Sequence, residues 1–137
     1  MTRELETLIQ QGKWDDAIAQ CQAIIVAQPV NPKLHAYLGM CFLKKNDFPN
    51  AEVAFRKAIT LDPNFWEAGV KLAQVLDRQL KYKDALQVAE HYLHLRPNEH
   101  ALQVLVNGLR RQQGAVEEES WQKNVKGGWH NVTLAND

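Results

Sequence analysis

Residues 35–63 read "HAYLGMCFLKKNDFPNAEVAFRKAITLDP". Within them His35, Leu38, Gly39 and Phe42 recur at i, i+3, i+4 and i+7, which is one face of a helix. Ala51, Phe55, Ala58 and Ile59 follow i, i+4, i+7 and i+8, the face of a second helix. The polar run "KKND" between them reads as a short turn. Asp47 is placed to cap the second helix by accepting a hydrogen bond from its free backbone N–H groups. Pro63 prevents that helix from continuing, because its ring clashes with the preceding turn and it has no N–H to donate. The stretch therefore predicts a helix hairpin.

The same skeleton returns on either side, every 34 residues. An aromatic residue followed by alanine three positions later occurs as Trp14/Ala17, Phe48/Ala51 and Tyr82/Ala85. Pro29, Pro63 and Pro97 fall into one column, as do Leu8, Phe42 and Leu76, and Ile25, Ile59 and Leu93. A fixed period of this length marks an array of stacked supersecondary units. Asn31 before Pro32 reads as an N-cap with proline at the first helical position. Asn64 and Glu67 have the spacing of a capping box. Gly39 and Ala73 occupy equivalent places in the first helix of successive pairs. A glycine inside a helix costs about 1 kcal/mol relative to alanine, so its use predicts a close approach of two backbones.

The period, Leu38-Gly39, Phe42, Ala51, Phe55, Ala58 and Pro63 resemble the tetratricopeptide repeat, whose pattern has Trp, Leu-Gly, an aromatic, Ala, Phe, Ala and Pro. The resemblance implies an all-α fold: a right-handed superhelical stack of antiparallel helix pairs, closed by a C-terminal capping helix. It divides the chain into repeats at 2–31, 32–65 and 66–99, capping helices that form a partial fourth repeat at 100–126, and a tail at 127–137. The copies depart from the pattern locally. His35 and Gly69 stand where the family has Trp. Phe55 and Ala58 of the second copy become Ala89 and Tyr92 in the third, and Cys21 and Ile24 in the first. Large and small exchange across one turn, so volume is roughly kept.

The last unit of such a stack needs a polar outer face. Leu102, Leu105, Val106 and Leu109 form an apolar stripe, while Arg110 and Asn107 replace the apolar residues of earlier copies. The stretch "AVEEESWQKNV" suits one further helix, with Trp121 and Val125 available to cover the cap, and Trp129 lies in a segment without helical period.

Stacked pairs with a constant rotation generate a concave surface. In the family it resembles, the first helices line that surface and bind peptides or extended segments. The residues expected there lie off the packing stripe, in register: Lys33, Tyr37, Met40 and Lys44 in the second copy, Glu67, Lys71, Gln74 and Arg78 in the third. The first copy supplies Arg3 with Glu6, and the cap helix supplies Leu105. The strip is mildly positive, with Tyr37 and Met40 as apolar contacts. The family's clamp for acidic chaperone tails is not matched, because Thr2 and Glu6 stand on the first copy and no asparagine lines the second. Lys71 is its one plausible remnant.

The expected function is a protein–protein interaction module, an adaptor, scaffold or chaperone-like unit. The alternative is a self-assembling subunit, a homo-oligomer associating through repeat end faces. The expected partner is a protein or peptide, with no nucleic acid and no membrane insertion. Sixteen Lys plus Arg balance sixteen Asp plus Glu, so net charge exerts no general pull toward nucleic acid or anionic lipid. The longest apolar run is Ala23 to Ala27, far too short to span a bilayer. The start has no secretory pattern, and a cytoplasmic location is expected. No phosphate-binding glycine loop, zinc-protease motif or nucleophile elbow occurs, so no enzyme activity and no cofactor is expected. Glu90, His91, His94 and His100 form the one cluster that invites a metal reading, and they are read as a helix surface. Cys21 and Cys41 read as reduced, half-buried thiols.

Overall fold

The computed structural model describes residues 2–114. Six helices run α1 (Thr2–Gln10), α2 (Trp14–Ala27), α3 (Pro32–Lys44), α4 (Phe48–Leu61), α5 (Trp66–Arg78) and α6 (Tyr82–Leu95). A seventh, α7, occupies residues 100–114. No strand occurs among the described residues. Each of the first five helices packs against the next, and α3 also touches α5. α3 and α5, the first helices of the second and third pairs, therefore lie side by side in one layer.

One turn joins the helices of every pair, and its chemistry is the reason the hairpins match. The N–H groups of Lys13, Asp47 and Lys81 donate to the carbonyls of Leu8, Phe42 and Leu76 at 3.0, 2.9 and 2.9 Å. The residue before each donor is left-handed: Gly12 at φ 73°, Asn46 at 61° and Leu80 at 64°. This is the Schellman ending, which satisfies the last carbonyls of a helix. The aromatic residues Trp14, Phe48 and Tyr82 each begin the second helix of their pair. Ala17, Ala51 and Ala85, one turn further on, are fully buried.

Two of the expected caps form. Asn31 accepts from the Lys33 N–H at 3.1 Å, and Asp47 accepts from the Asn50 N–H at 3.4 Å. The capping box at Asn64 and Glu67 does not. α5 starts one residue later than that spacing requires, with Phe65 at the cap position and no side-chain acceptor. Asp62 takes the Asn64 N–H instead, at 3.1 Å, closing an Asx turn ahead of the helix.

The core forms two clusters, one around Leu5, Cys21, Ile24 and Leu34, the other around Phe55, Leu72, Leu76, Ala89 and Val106. Gly39 does not serve a contact between backbones. A Cβ there would lie 2.9 Å from the ring of Phe55, so the missing side chain makes room for an aromatic ring. Gly69 does the same for Tyr92, where the distance would be 2.4 Å. His35 is buried, and its Nε2–H donates to the Pro29 carbonyl at 3.0 Å, tying the link before α3 to that helix.

The cysteines are free and fully buried, deeper than expected. The Cys21 thiol donates to the Leu34 carbonyl at 3.0 Å. Burial, reinforced by the neighbouring Cys41, pushes its pKa up to about 11. Such a thiol is protonated and unreactive at neutral pH.

On α7, Leu102, Val106 and Leu109 are buried, and Val106 and Leu109 join the core cluster of the preceding pairs. Arg110 stands exposed, 3.5 Å from Glu90 of α6. Val104 breaks the polar outer face, being 55% exposed. The expectations for Trp121, Val125, Trp129 and the tail lie outside the described residues. Among the described residues no helix is long and apolar enough to cross a membrane.

Candidate functional site

The side chains expected to line the groove come from α1, α3, α5 and α7. Arg3, Lys33, Lys44, Glu67, Gln74 and Arg78 are exposed, while Tyr37, Met40, Lys71 and Leu105 are half-buried. None is lost to the core. Met40 and Leu105 lie against the core cluster of the second and third pairs, and Tyr37 lies against that of the first.

The structure joins these residues at two places. Near the start of α3, the Tyr37 hydroxyl donates to Glu6 Oε1 on α1 at 3.4 Å, and the Lys33 ammonium stands 5.7 Å from the Tyr37 ring centroid. Neighbouring first helices thus meet side chain to side chain on this layer. Near the ends of α3 and α5, Lys44, Gln74 and Arg78 share a cavity of about 430 Å³ with Leu43, Asn46 and Asp77. The Arg78 guanidinium lies 4.9 Å from the ring centroid of Phe48. A guanidinium stacked on a ring keeps its N–H edge free for an acceptor. Arg3, Glu67 and Lys71 make no polar contact with other strip residues in this arrangement.

Sequence reasoning did not find Phe48, Asn46 or Asp77 as part of this place. Phe48 belongs to the repeated aromatic column, and only the packing of α4 beside the end of α5 shows that it also carries Arg78. Asp77 stands one period after Leu43, at an otherwise apolar position. Its Oδ1 is closed off from solvent and has no hydrogen-bond partner. A carboxylate in an apolar column was the available signal.

Off this layer, ion pairs hold the pairs in register. Glu52 of α4 accepts from Arg56 at 2.9 Å, from Lys81 at 3.0 Å and from Gln79 at 2.8 Å. Burial alone would raise its carboxyl, but these three donors outweigh burial and hold the pKa at about 2. Lys45 pairs with Asp15, and Arg96 both stacks on Trp66 at 5.1 Å and pairs with Glu99 at 3.8 Å. Among the described residues no three His, Cys, Asp or Glu side chains converge, those of the histidine group included. Glu90 faces Arg110, and His91 meets the edge of the Tyr92 ring at 5.0 Å.

An all-α stack of hairpins with this turn chemistry defines a class of helical repeat proteins. The family model of the tetratricopeptide repeat matches residues 32–65. A search for related curated proteins found no match. Solved structures give the fold. The second such domain of human RPAP3, in complex with the HSP70 peptide SGPTIEEVD, is similar at a TM-score of 0.75 and 24% identity, covering 80% of this chain and 91% of its own. The Sgt2 domain from Aspergillus fumigatus is similar at 0.78 and 16% identity, covering 85% and 78%. The TPR2B domain of yeast Sti1, in complex with pHsp70, is similar at 0.74 and 20% identity, covering 81% and 94%. Residues 32–65 thus match a tetratricopeptide repeat, and the chain shares the fold of solved tetratricopeptide-repeat domains.

Proposed function

We propose that this protein is a non-enzymatic, cytoplasmic adaptor that holds a peptide or extended segment of a partner protein along the hollow lined by its first helices. Repeats at 2–31, 32–65 and 66–99 are its units, and α7 begins the cap. The observation that carries this reading is the continuity of the strip. Side chains of α1 and α3 meet at Tyr37, and those of α3 and α5 share the cavity at Lys44 and Arg78. Two similar domains, of human RPAP3 and yeast Sti1, carry chaperone-derived ligands in their solved structures.

The test is affinity capture from native extract with the wild-type chain and with Lys33→Glu/Lys71→Glu/Arg78→Glu. Charge reversal of these exposed or half-buried groups leaves the core intact, and captured partners are expected to fall at least tenfold. A partner retained equally by the triple variant assigns binding to another face.

A further inference from the structure

We propose that the groove between α4 and α6, on the layer of second helices, binds a phosphate monoester whose ester group is apolar and ring-sized. The site stands apart from the hollow lined by first helices and does not depend on that reading. α4 and α6 border a cavity of about 480 Å³. Its polar lining is Arg56, Thr60, Gln87, His91 and Tyr92, and no lining residue is a carboxylate. Arg56, Gln87 and His91 are exposed, so a ligand reaches them without disturbing the core. Arg56 gives its Nε–H to Glu52 at 2.9 Å, and Lys81 holds the same carboxylate at 3.0 Å. Two cations share one anion, and the group keeps a net positive charge. A guanidinium bound through Nε still carries its two Nη groups, and planar pairing with phosphate oxygens is what guanidinium geometry favours.

The other polar groups complete a donor set. The His91 ring meets the Tyr92 ring edge-on at 5.0 Å, which restrains it before a ligand arrives. Burial, and after it the charge of Asp62, pushes the pKa of the Tyr92 phenol up, so its hydroxyl stays protonated at neutral pH. Gln87 adds an amide donor. Thr60 is already spent as a donor, since its hydroxyl bonds the Arg56 carbonyl at 2.8 Å. Four donor side chains therefore come from two helices on opposite sides of the cavity. A phosphate monoester brings three terminal oxygens and nearly two negative charges, against the two oxygens and one charge of a carboxylate. The larger acceptor set matches the larger donor set. Ile59, Pro63 and Val88 form the apolar wall. The cavity is larger than a phosphate group alone fills, and that wall suits the ring that carries it.

The shape of this groove repeats, and its charge does not. Ile59 and Pro63 correspond to Ile25 and Pro29 one period earlier and to Leu93 and Pro97 one period later. Leu93 and Pro97 line a cavity of about 550 Å³ with Glu90, His94 and Arg110. At the place of Arg56 the neighbouring copies have Gln22 and Glu90. Glu90 faces Arg110 at 3.5 Å, so the later cavity carries its own anion. Only the middle copy of the groove has a cation at this place.

The test is titration of the full chain with phenyl phosphate, inorganic phosphate and benzoate, followed by backbone amide shifts in NMR. Phenyl phosphate is expected to move amides of residues 56–63 and 87–92, and to bind about tenfold more tightly than either of the others. Arg56→Glu, which copies the acid of the next groove, should weaken it at least tenfold, and His91→Ala about threefold. Both side chains are exposed, and the unbound spectra report whether each variant is folded. A phosphotyrosine peptide that binds as tightly as phenyl phosphate would assign the source to a partner protein. A peptide at least tenfold weaker would assign it to a small phosphorylated molecule, and either result supports the site. No binding, equal binding of benzoate, or affinity unchanged in both folded variants overturns the inference. Lys33→Glu/Lys71→Glu/Arg78→Glu should bind phenyl phosphate as the wild type does. Loss of binding there would place the anion in the hollow and overturn this inference while leaving the adaptor reading in place.

Discussion

The hairpins α3–α4 and α5–α6 share a backbone plan and a turn, yet they place their largest core ring in different positions. In the first, Phe55 lies against Gly39. One period later those positions hold Ala89 and Ala73, both fully buried. The ring has moved to Tyr92, three residues further along the second helix. The glycine has moved to Gly69, four residues back along the first. The helices of a pair are antiparallel, so a step forward on one is a step backward on the other, and ring and notch have travelled together by one turn. What is kept between the two hairpins is a pairing of a ring with a missing Cβ, at constant volume.

The largest effect is expected from Tyr92→Ala, which should lower stability by about 3–5 kcal/mol, as aromatic truncations in cores do. The sharper measurement is Gly69→Ala in two backgrounds. With Tyr92 present, the new Cβ meets the ring at 2.4 Å, and urea unfolding should show a loss of about 2–3 kcal/mol. With Tyr92→Ala the notch is empty, and the same change should become neutral or gain up to about 1 kcal/mol from helix propensity. Equal costs in both backgrounds would break the pairing. Gly39→Ala should cost about 1–2 kcal/mol, less than Gly69→Ala, because its closest contact would be 2.9 Å.

A smaller difference between the hairpins is electrostatic. Only α4 carries a carboxylate at the place of Glu52, where the neighbouring repeats have Ile18 and Leu86. It binds Gln79 and Lys81 on either side of the next turn. The folded carboxyl sits at about 2, against an ordinary value of 4.5. Its contribution is therefore complete above that ordinary value and is lost as pH falls from there through about 2. Glu52→Gln should cost about 1 kcal/mol at neutral pH after allowance for its partly exposed partners. The gap between its urea midpoint and that of the wild type should close in acid. A gap independent of pH would remove the ion cluster from the account.

The smallest effect concerns the turn. Gly12 and Asn46 adopt the left-handed conformation readily, but Leu80 at φ 64° does not, and its side chain is 70% exposed. Leu80→Gly should raise the melting temperature, by about 1 kcal/mol of stability. No gain would mean that the leucine finds compensation on the surface.

The array was legible because a period shared by several columns is a local property, readable without knowing any contact. The register of the strip was legible in the same way: a fixed period puts Lys33 and Glu67, or Lys44 and Arg78, at equivalent places on successive first helices. The capping box at Asn64 was misread because a cap depends on where the helix starts, and a shift of one residue moves the acceptor out of reach. The identity of Gly69 was read only as the loss of an aromatic residue. Its partner lies more than twenty residues away, and nothing along the chain states that the ring of Tyr92 fills that notch.

Periodic polarity and turn-forming residues by themselves determined the helices and their pairing into hairpins, since each acts within one or two turns of its own neighbours. Which ring enters which notch and which cations find carboxylates were decided only when helices distant in sequence came together. Packing and charge pairing act through space, over a few ångströms, and the order of residues does not measure that distance.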